Sequence, residues 1–234
     1  MKVFLAGASG AIGRRLTPLL LSAGHRVYGL TRDAGRAEEL ERRGVHALVG
    51  DVYDARALRA AVASANPEVV IHQLTDLPQS ADERGNAAAL ARNARIREEG
   101  TPHLVDAALA ASAARIVSQS LAFAYAPGPE PHAEGDPLDP SRTSVIALER
   151  LTLASPPLVG TVLRFGSFYG PGTWFEEPSG NVPCHVDAAA WATLLAIEHA
   201  ASGSFNIAEE RGYVTTARAR RELGWSPTLR VPER

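Results

Sequence analysis

Apolar residues in this chain fall into short runs separated by stretches of helical period. Val3-Phe4-Leu5-Ala6 is the first run, long enough for one buried parallel strand and too short for a helix. A glycine turn follows, then a helix from Arg14 to Ala23 that stops at Gly24, then a second strand at Val27-Tyr28-Gly29-Leu30. Pro18 removes one backbone donor inside that helix, so a mild kink is expected. The pattern repeats: a charged helix from Asp33 to Arg43, a strand at Val45–Val49, a helix opened by Asp54 and running to Ala65, a strand at Glu68–His72. An alanine-rich helical segment spans Asp82 to Ser112, with a break expected near Gly100-Thr101-Pro102, and Arg115–Ser118 is the fifth strand.

The second half is less regular. Pro127 to Pro140 is rich in proline and acid and reads as a surface loop. Ser141–Leu153 is helical, Thr161–Phe165 a strand, and Phe168–Gly180 a glycine- and proline-rich loop. Val186–Ala200 (helix), Ser204–Ile207 (strand) and Ala217–Leu223 (helix) close the chain. Strict strand–helix alternation implies an α/β fold, a doubly wound parallel sheet with helices on both faces. Residues 1–167 are expected to form that Rossmann unit. Residues 168–234 supply a reduced C-terminal substrate-binding portion, interleaved with the last strand and helix.

The turn after the first strand, Gly7-Ala8-Ser9-Gly10-Ala11-Ile12-Gly13, is set between strand and helix as a dinucleotide fingerprint requires. Gly7 suits a tight turn, Gly10 a close approach of backbone to phosphate, and Gly13 tight packing of helix on strand. Gly7, Ser9, Gly10, Ala11, Ile12 and Gly13 are therefore expected to contact a nucleotide cofactor. The end of the second strand selects which one: Thr31 and Arg32 offer a hydroxyl and a guanidinium, whereas Asp33 comes one step late and suits a helix cap. NADP(H) is expected, with NAD(H) as the alternative.

Ligands of such sheets lie beyond the C-terminal strand ends. After the third strand, Asp51 and Val52 are placed to meet the adenine, with helix capping as the other role for Asp51. Gln73, Leu74 and Thr75 follow the fourth strand and should run beneath the nicotinamide ribose, while His72 reads as a packed, hydrogen-bonded strand-end histidine. After the fifth strand, Ser118 is a candidate cofactor contact and Ser120 a candidate for holding a substrate carbonyl. Tyr125 is the candidate proton donor, with Tyr169 or His132 behind it. Arg164 and Tyr169, flanking the sixth strand's exit, are candidate substrate contacts.

Composition narrows the classes. With 45% apolar residues in 234 the chain can build an ample core, and a formal net charge of −2 gives no sign of a nucleic-acid or anionic-membrane partner. No apolar run approaches a membrane span, no leader pattern precedes the first strand, and the lone Cys184 makes an intrachain disulfide impossible and a cysteine metal site improbable. A cytoplasmic enzyme for a small-molecule substrate is expected. Lys2 is the only lysine among 24 basic residues, so chemistry needing an active-site lysine must find another cation.

These landmarks together resemble the extended short-chain dehydrogenase/reductase superfamily, the NAD-dependent epimerase/dehydratase group. The likeness covers the cofactor loop Gly7–Gly13, Gly50-Asp51-Val52 and Val70-Ile71-His72. It extends through Arg115–Ser120, Leu163-Arg164 with Tyr169-Gly170-Pro171-Gly172, His185-Val186-Asp187, Phe205-Asn206-Ile207 and Arg221–Pro227. The resemblance implies an active-site serine at Ser120 and a homodimer built through the two long helices. It also implies a Tyr-x-x-x-Lys pair, and here Ser141 and Val145 stand at those places. The expected activity is an NADPH-dependent reductase of a small carbonyl or sugar-like intermediate with a substitute proton donor. A non-redox isomerase, lyase or cyclase, and a non-catalytic NADP(H) sensor, are the alternatives.

Overall fold

The computed structural model describes residues 1–78, 80–83 and 85–232. Seven strands form one parallel sheet: β1 (Lys2–Ala6), β2 (Arg26–Thr31), β3 (His46–Val49), β4 (Val69–His72), β5 (Arg115–Leu121), β6 (Val159–Phe165) and β9 (Gly203–Ile207), in the spatial order β3-β2-β1-β4-β5-β6-β9. Two short strands, β7 (Ser167–Tyr169) and β8 (Pro183–His185), pair separately. The helices are α1 (Ala11–Ser22), α2 (Ala34–Arg42), α3 (Ala55–Ala65), α4 (Ala87–Arg95), α5 (Thr101–Ala110), α6 (Thr143–Leu153), α7 (Val186–Glu198) and α8 (Ala217–Leu223).

Because the strands are buried on both faces, successive residues feed two cores. Val3 and Leu5 pack with Leu16 and Leu20 of α1 and Ala189 and Ile197 of α7; Phe4 and Ala6 pack with Leu58 and Val62 of α3 and Leu104 and Ala108 of α5. The chain moves outward from β1 to β3, then returns to place β4 on the other side of β1. In register, Ala6 lies between Leu30 and His72. That reversal opens a crevice at the C-terminal ends of β1 and β4, where ligands bind in this architecture.

Several boundaries differ from expectation. The long helical segment starts at Ala87, where Asn86 caps the amide of Ala88, after a short turn at Ala81–Glu83. No break occurs at Gly100: a single wide turn, Ile96–Gly100, joins α4 to α5 and accommodates Pro102, which lacks an N–H to continue the ordinary helical pattern there. α1 is one helix through Pro18. The C-terminal segment contributes the last strand of the sheet and a helix on its face. β9 pairs with β6, α7 packs on α1, and Asp187 of α7 holds Arg15 of α1 through a two-pronged pair at 2.5 and 3.0 Å. Asp187 also accepts the amide of Val231.

Candidate functional site

A cavity of about 400 Å³ opens at the crevice. Its floor is the glycine turn, with Gly7, Ser9 and Gly10; its walls are Leu30, Thr31 and Arg32 after β2, Val52 and Tyr53 after β3, and Gln73, Leu74 and Thr75 after β4. A second space of about 70 Å³ shares Gly7, Gly10, Gln73 and Thr75 and extends over Ala11, Ile12 and Gly13 to Leu77, Gln119 and Phe168.

The turn is shaped for a ligand. Gly7 has φ +100°, and a Cβ on it would stand 2.7 Å from the Gln73 carbonyl oxygen. At Gly13 a Cβ would meet the carbonyl oxygens of Gly7 and Ala8 at 2.3 and 2.6 Å, so only glycine lets α1 start this close to β1. Gly10 differs: the nearest atom to an added Cβ is the Gly7 oxygen at 3.3 Å, so space remains beside it within the protein. Gly10 is also the N-cap of α1, with no side-chain cap and no acidic residue in the first turn. The leading amides of the helix thus face the cavity end without intrahelical acceptors, which favours an anion there.

Gln73 supplies a second observation that fits a polar ligand. Its Nε2 donates to Thr193 Oγ1 at 3.0 Å, and the Thr193 hydroxyl donates to the Ala189 carbonyl, which sets the amide's orientation. Its Oε1 is buried and accepts no hydrogen bond among the described residues. A nucleotide amide or hydroxyl would satisfy it, so the residues present fit a dinucleotide.

At the end of β2, Arg32 and Arg36 are exposed on the cavity rim, and neither has an ion-pair partner among the described residues. Asp33 lies between them, but its carboxylate accepts the Arg36 amide at 2.8 Å as the cap of α2. Asp51 is not among the residues lining the cavity; it accepts the Tyr53 amide at 3.0 Å and shapes the loop that presents Val52 and Tyr53. Arg95 covers the Tyr53 ring at 4.0 Å.

The candidate chemistry beyond β5 is arranged differently from expectation. Ser118 is closed into the core, its hydroxyl oxygen taking a bond from Thr152 at 2.8 Å, so it does not reach the cofactor cavity. Ser120 is also buried and donates to Glu149 Oε1 at 2.6 Å. Glu149 in turn holds Arg164 by two prongs, Nη2 to Oε2 at 2.7 Å and Nε to Oε1 at 3.0 Å. Arg164 Nη1 donates to the Tyr125 hydroxyl at 2.8 Å and the Glu134 carbonyl at 3.1 Å, and Tyr125 donates to Asn206 Oδ1 at 2.7 Å.

Arg164 is the hub of a buried polar network tying β5, α6, β6 and β9. Burial opposes its charge, but the Glu149 carboxylate more than offsets this and keeps it protonated. Tyr125, stacked on His132 at 4.8 Å, is not poised as an acid: burial pushes its phenol up, against the opposing pull of Arg164. His132 is buried too, its Nδ1 3.1 Å from Asp136. The Tyr169 phenol donates to Glu209, and burial followed by that bond pushes it up to about 12. Neither Ser120, Tyr125, Arg164 nor Tyr169 lines either cavity.

His72 is the packed strand-end residue expected. Its Nδ1 accepts the Leu74 amide, which places the proton on Nε2, 3.0 Å from Thr101 Oγ1, and burial drives its pKa down to about 4. Ser141 is exposed just before α6, Val145 is buried within α6, and Lys2 sits at the opposite, N-terminal edge of the sheet. Sequence reasoning missed Arg36, Tyr53, Gln119 and Phe168. Two of these had a signal. Arg36 is the residue whose amide Asp33 caps, and Gln119 alternates with Ser118 and Ser120, so it must face the other side of β5.

A family described as NAD(P)H-binding matches residues 7–168. A 3-diazoavenalumate denitrifying reductase from a Streptomyces species is 41% identical over 239 aligned residues, covering 90% of this chain and 76% of that protein. A dTDP-4-dehydrorhamnose reductase of Streptomyces griseus is 31% identical over 171 residues, 72% of this chain and 50% of that one. Among solved structures, the UDP-glucose 4-epimerase of Thermotoga maritima superposes with a TM-score of 0.80 at 19% identity, over 97% of this chain and 94% of that one. The parallel sheet, the crevice at its reversal and the glycine turn are those of that fold, and the chain belongs to the NAD(P)H-binding family.

Proposed function

We propose that the protein is an NADPH-dependent reductase whose hydride acceptor is electrophilic without help from a protein acid, such as the diazo group of a small aromatic carboxylate. The observation that carries this is the commitment of every hydroxyl expected to act as a donor. Ser120 is spent on Glu149, Tyr125 on Asn206 and Tyr169 on Glu209. A carbonyl needs a proton as it accepts hydride. An aryldiazonium ion does not: hydride on its terminal nitrogen gives a neutral aryldiazene, which loses dinitrogen and leaves a C–H bond in place of C–N. The 41% identical reductase, whose name specifies a diazo carboxylate and loss of nitrogen, supports the same class.

Bound NADPH supplies the hydride. The chain's own part is to hold the nucleotide and exclude water. Gly7, Gly10 and the first amides of α1 would take the pyrophosphate, and Gln73 Oε1 would accept a hydrogen bond from the ribose or carboxamide. Arg32 and Arg36 support NADPH over NADH, because two guanidinium groups suit a 2′-phosphate and the one nearby carboxylate is occupied as a helix cap. Leu77, Gln119 and Phe168 would line the substrate side.

The test is NADPH oxidation with an aryldiazonium carboxylate and, separately, with the matching aldehyde, together with analysis of the arene product. Oxidation matched one to one by deaminated arene, with little turnover of the aldehyde, is expected. Replacing both Arg32 and Arg36 by alanine should weaken NADPH by at least about tenfold and leave NADH within about twofold. Rapid aldehyde reduction, or equal losses for both nucleotides, would defeat the reading.

A further inference from the structure

Arg97 is the one feature near the site that neither the cofactor nor the buried network uses. It lies on the wide turn Ile96–Gly100, which packs against α6, and its neighbour Ile96 lines the larger cavity. The side chain is half-buried and has no hydrogen-bond or ion-pair partner among the described residues. The adjacent Glu99 is turned to Arg95 at 2.9 Å. The groups that feel its charge are His72 at the end of β4 and Arg142 at the start of α6. Asp139, the carboxylate beside Arg142, accepts the Ser141 amide at 2.9 Å. A guanidinium withdrawn from water, next to a second cation and facing no free carboxylate, is an unfavourable arrangement for the protein alone.

We propose that Arg97, with Arg142 beside it, binds the carboxylate of the substrate. The planar guanidinium matches a carboxylate with two parallel hydrogen bonds. The position argues against a cofactor phosphate. The pyrophosphate cradle and the Arg32–Arg36 pair lie along β1 and β2, whereas Arg97 lies on the turn that packs against α6, the helix that covers β5 and β6. The inference deepens the reductase reading above and rests on it for the identity of the ligand. It uses none of the buried hydroxyls.

The test is calorimetric titration of the NADP⁺-loaded protein with cinnamate and with cinnamide, which separates binding from turnover. Cinnamate should bind saturably. Arg97→Ala should weaken it by at least about tenfold, with Arg97→Lys between the two. Cinnamide should bind weakly and equally to all three proteins, and NADP⁺ affinity should not change. Thermal melting of each variant shows whether it is folded, and Arg97→Gln provides a second neutral replacement should alanine unfold the turn. Absence of cinnamate binding to the wild type, equal binding by folded Arg97 variants, or a loss that falls on NADP⁺ would overturn the proposal. Carboxylate binding through Arg97 in a protein that reduces no diazo compound would instead sink the reductase reading and leave this site standing.

Discussion

Alanine at Gly10 and alanine at Gly13 should separate binding from folding, although the two positions lie three residues apart in one turn. At Gly13 the new methyl would stand 2.3 Å from one backbone oxygen and 2.6 Å from another. Neither oxygen can rotate away, because the turn is closed by the Gly10 amide on the Gly7 carbonyl at 3.0 Å. Reaching ordinary contact requires α1 to withdraw from β1 by about 1 Å. Overpacking of this kind costs about 3 kcal/mol, which for a chain of this size is about 6–12 °C in Tm. At Gly10 the backbone is extended, at φ −76° and ψ 176°, and alanine meets only one oxygen at 3.3 Å. The cost to the free protein is that of a poorer N-cap, about 0.5–1 kcal/mol. The methyl occupies space a pyrophosphate needs, and one or two lost amide–phosphate bonds at about 1.5–3 kcal/mol each weaken NADPH by about 10- to 20,000-fold. Differential scanning fluorimetry and NADPH titration measure both quantities. A Gly10→Ala protein that binds NADPH as tightly as wild type would refute the placement of the phosphates on this turn.

Two further outcomes follow from the buried polar groups. The folded pKa of His72, about 4, lies below its unfolded value of 6.5, mainly through burial and then through the charge of Arg97. Between those values the unfolded chain takes up a proton that the folded chain refuses. The contribution is therefore complete above pH 6.5 and lost as pH falls toward about 4, amounting to about 3 kcal/mol. Urea unfolding across that window should show this slope in wild type and a flatter one in His72→Gln; parallel slopes would count against it. Glu149→Ala leaves Arg164 charged, buried and without its carboxylate, and should destabilise by about 3–5 kcal/mol, whereas adding Arg164→Met should recover most of that. A double variant no more stable than Glu149→Ala would show that the network holds the fold by some other route.

The chain's own pattern determined the architecture. Short apolar runs such as Val3–Ala6 and Val69–His72, alternating with helical stretches closed by Gly24 and Gly44, admit only a parallel sheet covered on both faces. The glycine turn likewise disclosed the phosphate end of the site, because the geometry of that motif is local: backbone conformation, a helix N-terminus and missing Cβ atoms are all written within seven consecutive residues. Tertiary structure alone decided what the polar side chains do. Ser120, Tyr125 and Arg164 sit at the right strand ends for catalysis, yet their partners Glu149 and Asn206 come from α6 and β9, separated by 15 to 81 residues of chain. Arg97 is the converse case. In sequence it is one of many exposed-looking arginines, followed by two glutamates, and only the packing of its turn against α6 withdraws it from water without giving it a counter-ion among the described residues. Backbone motifs are legible because their energetics are near-neighbour. The protonation and pairing of side chains are not, because they depend on which distant groups the fold brings within a few ångströms.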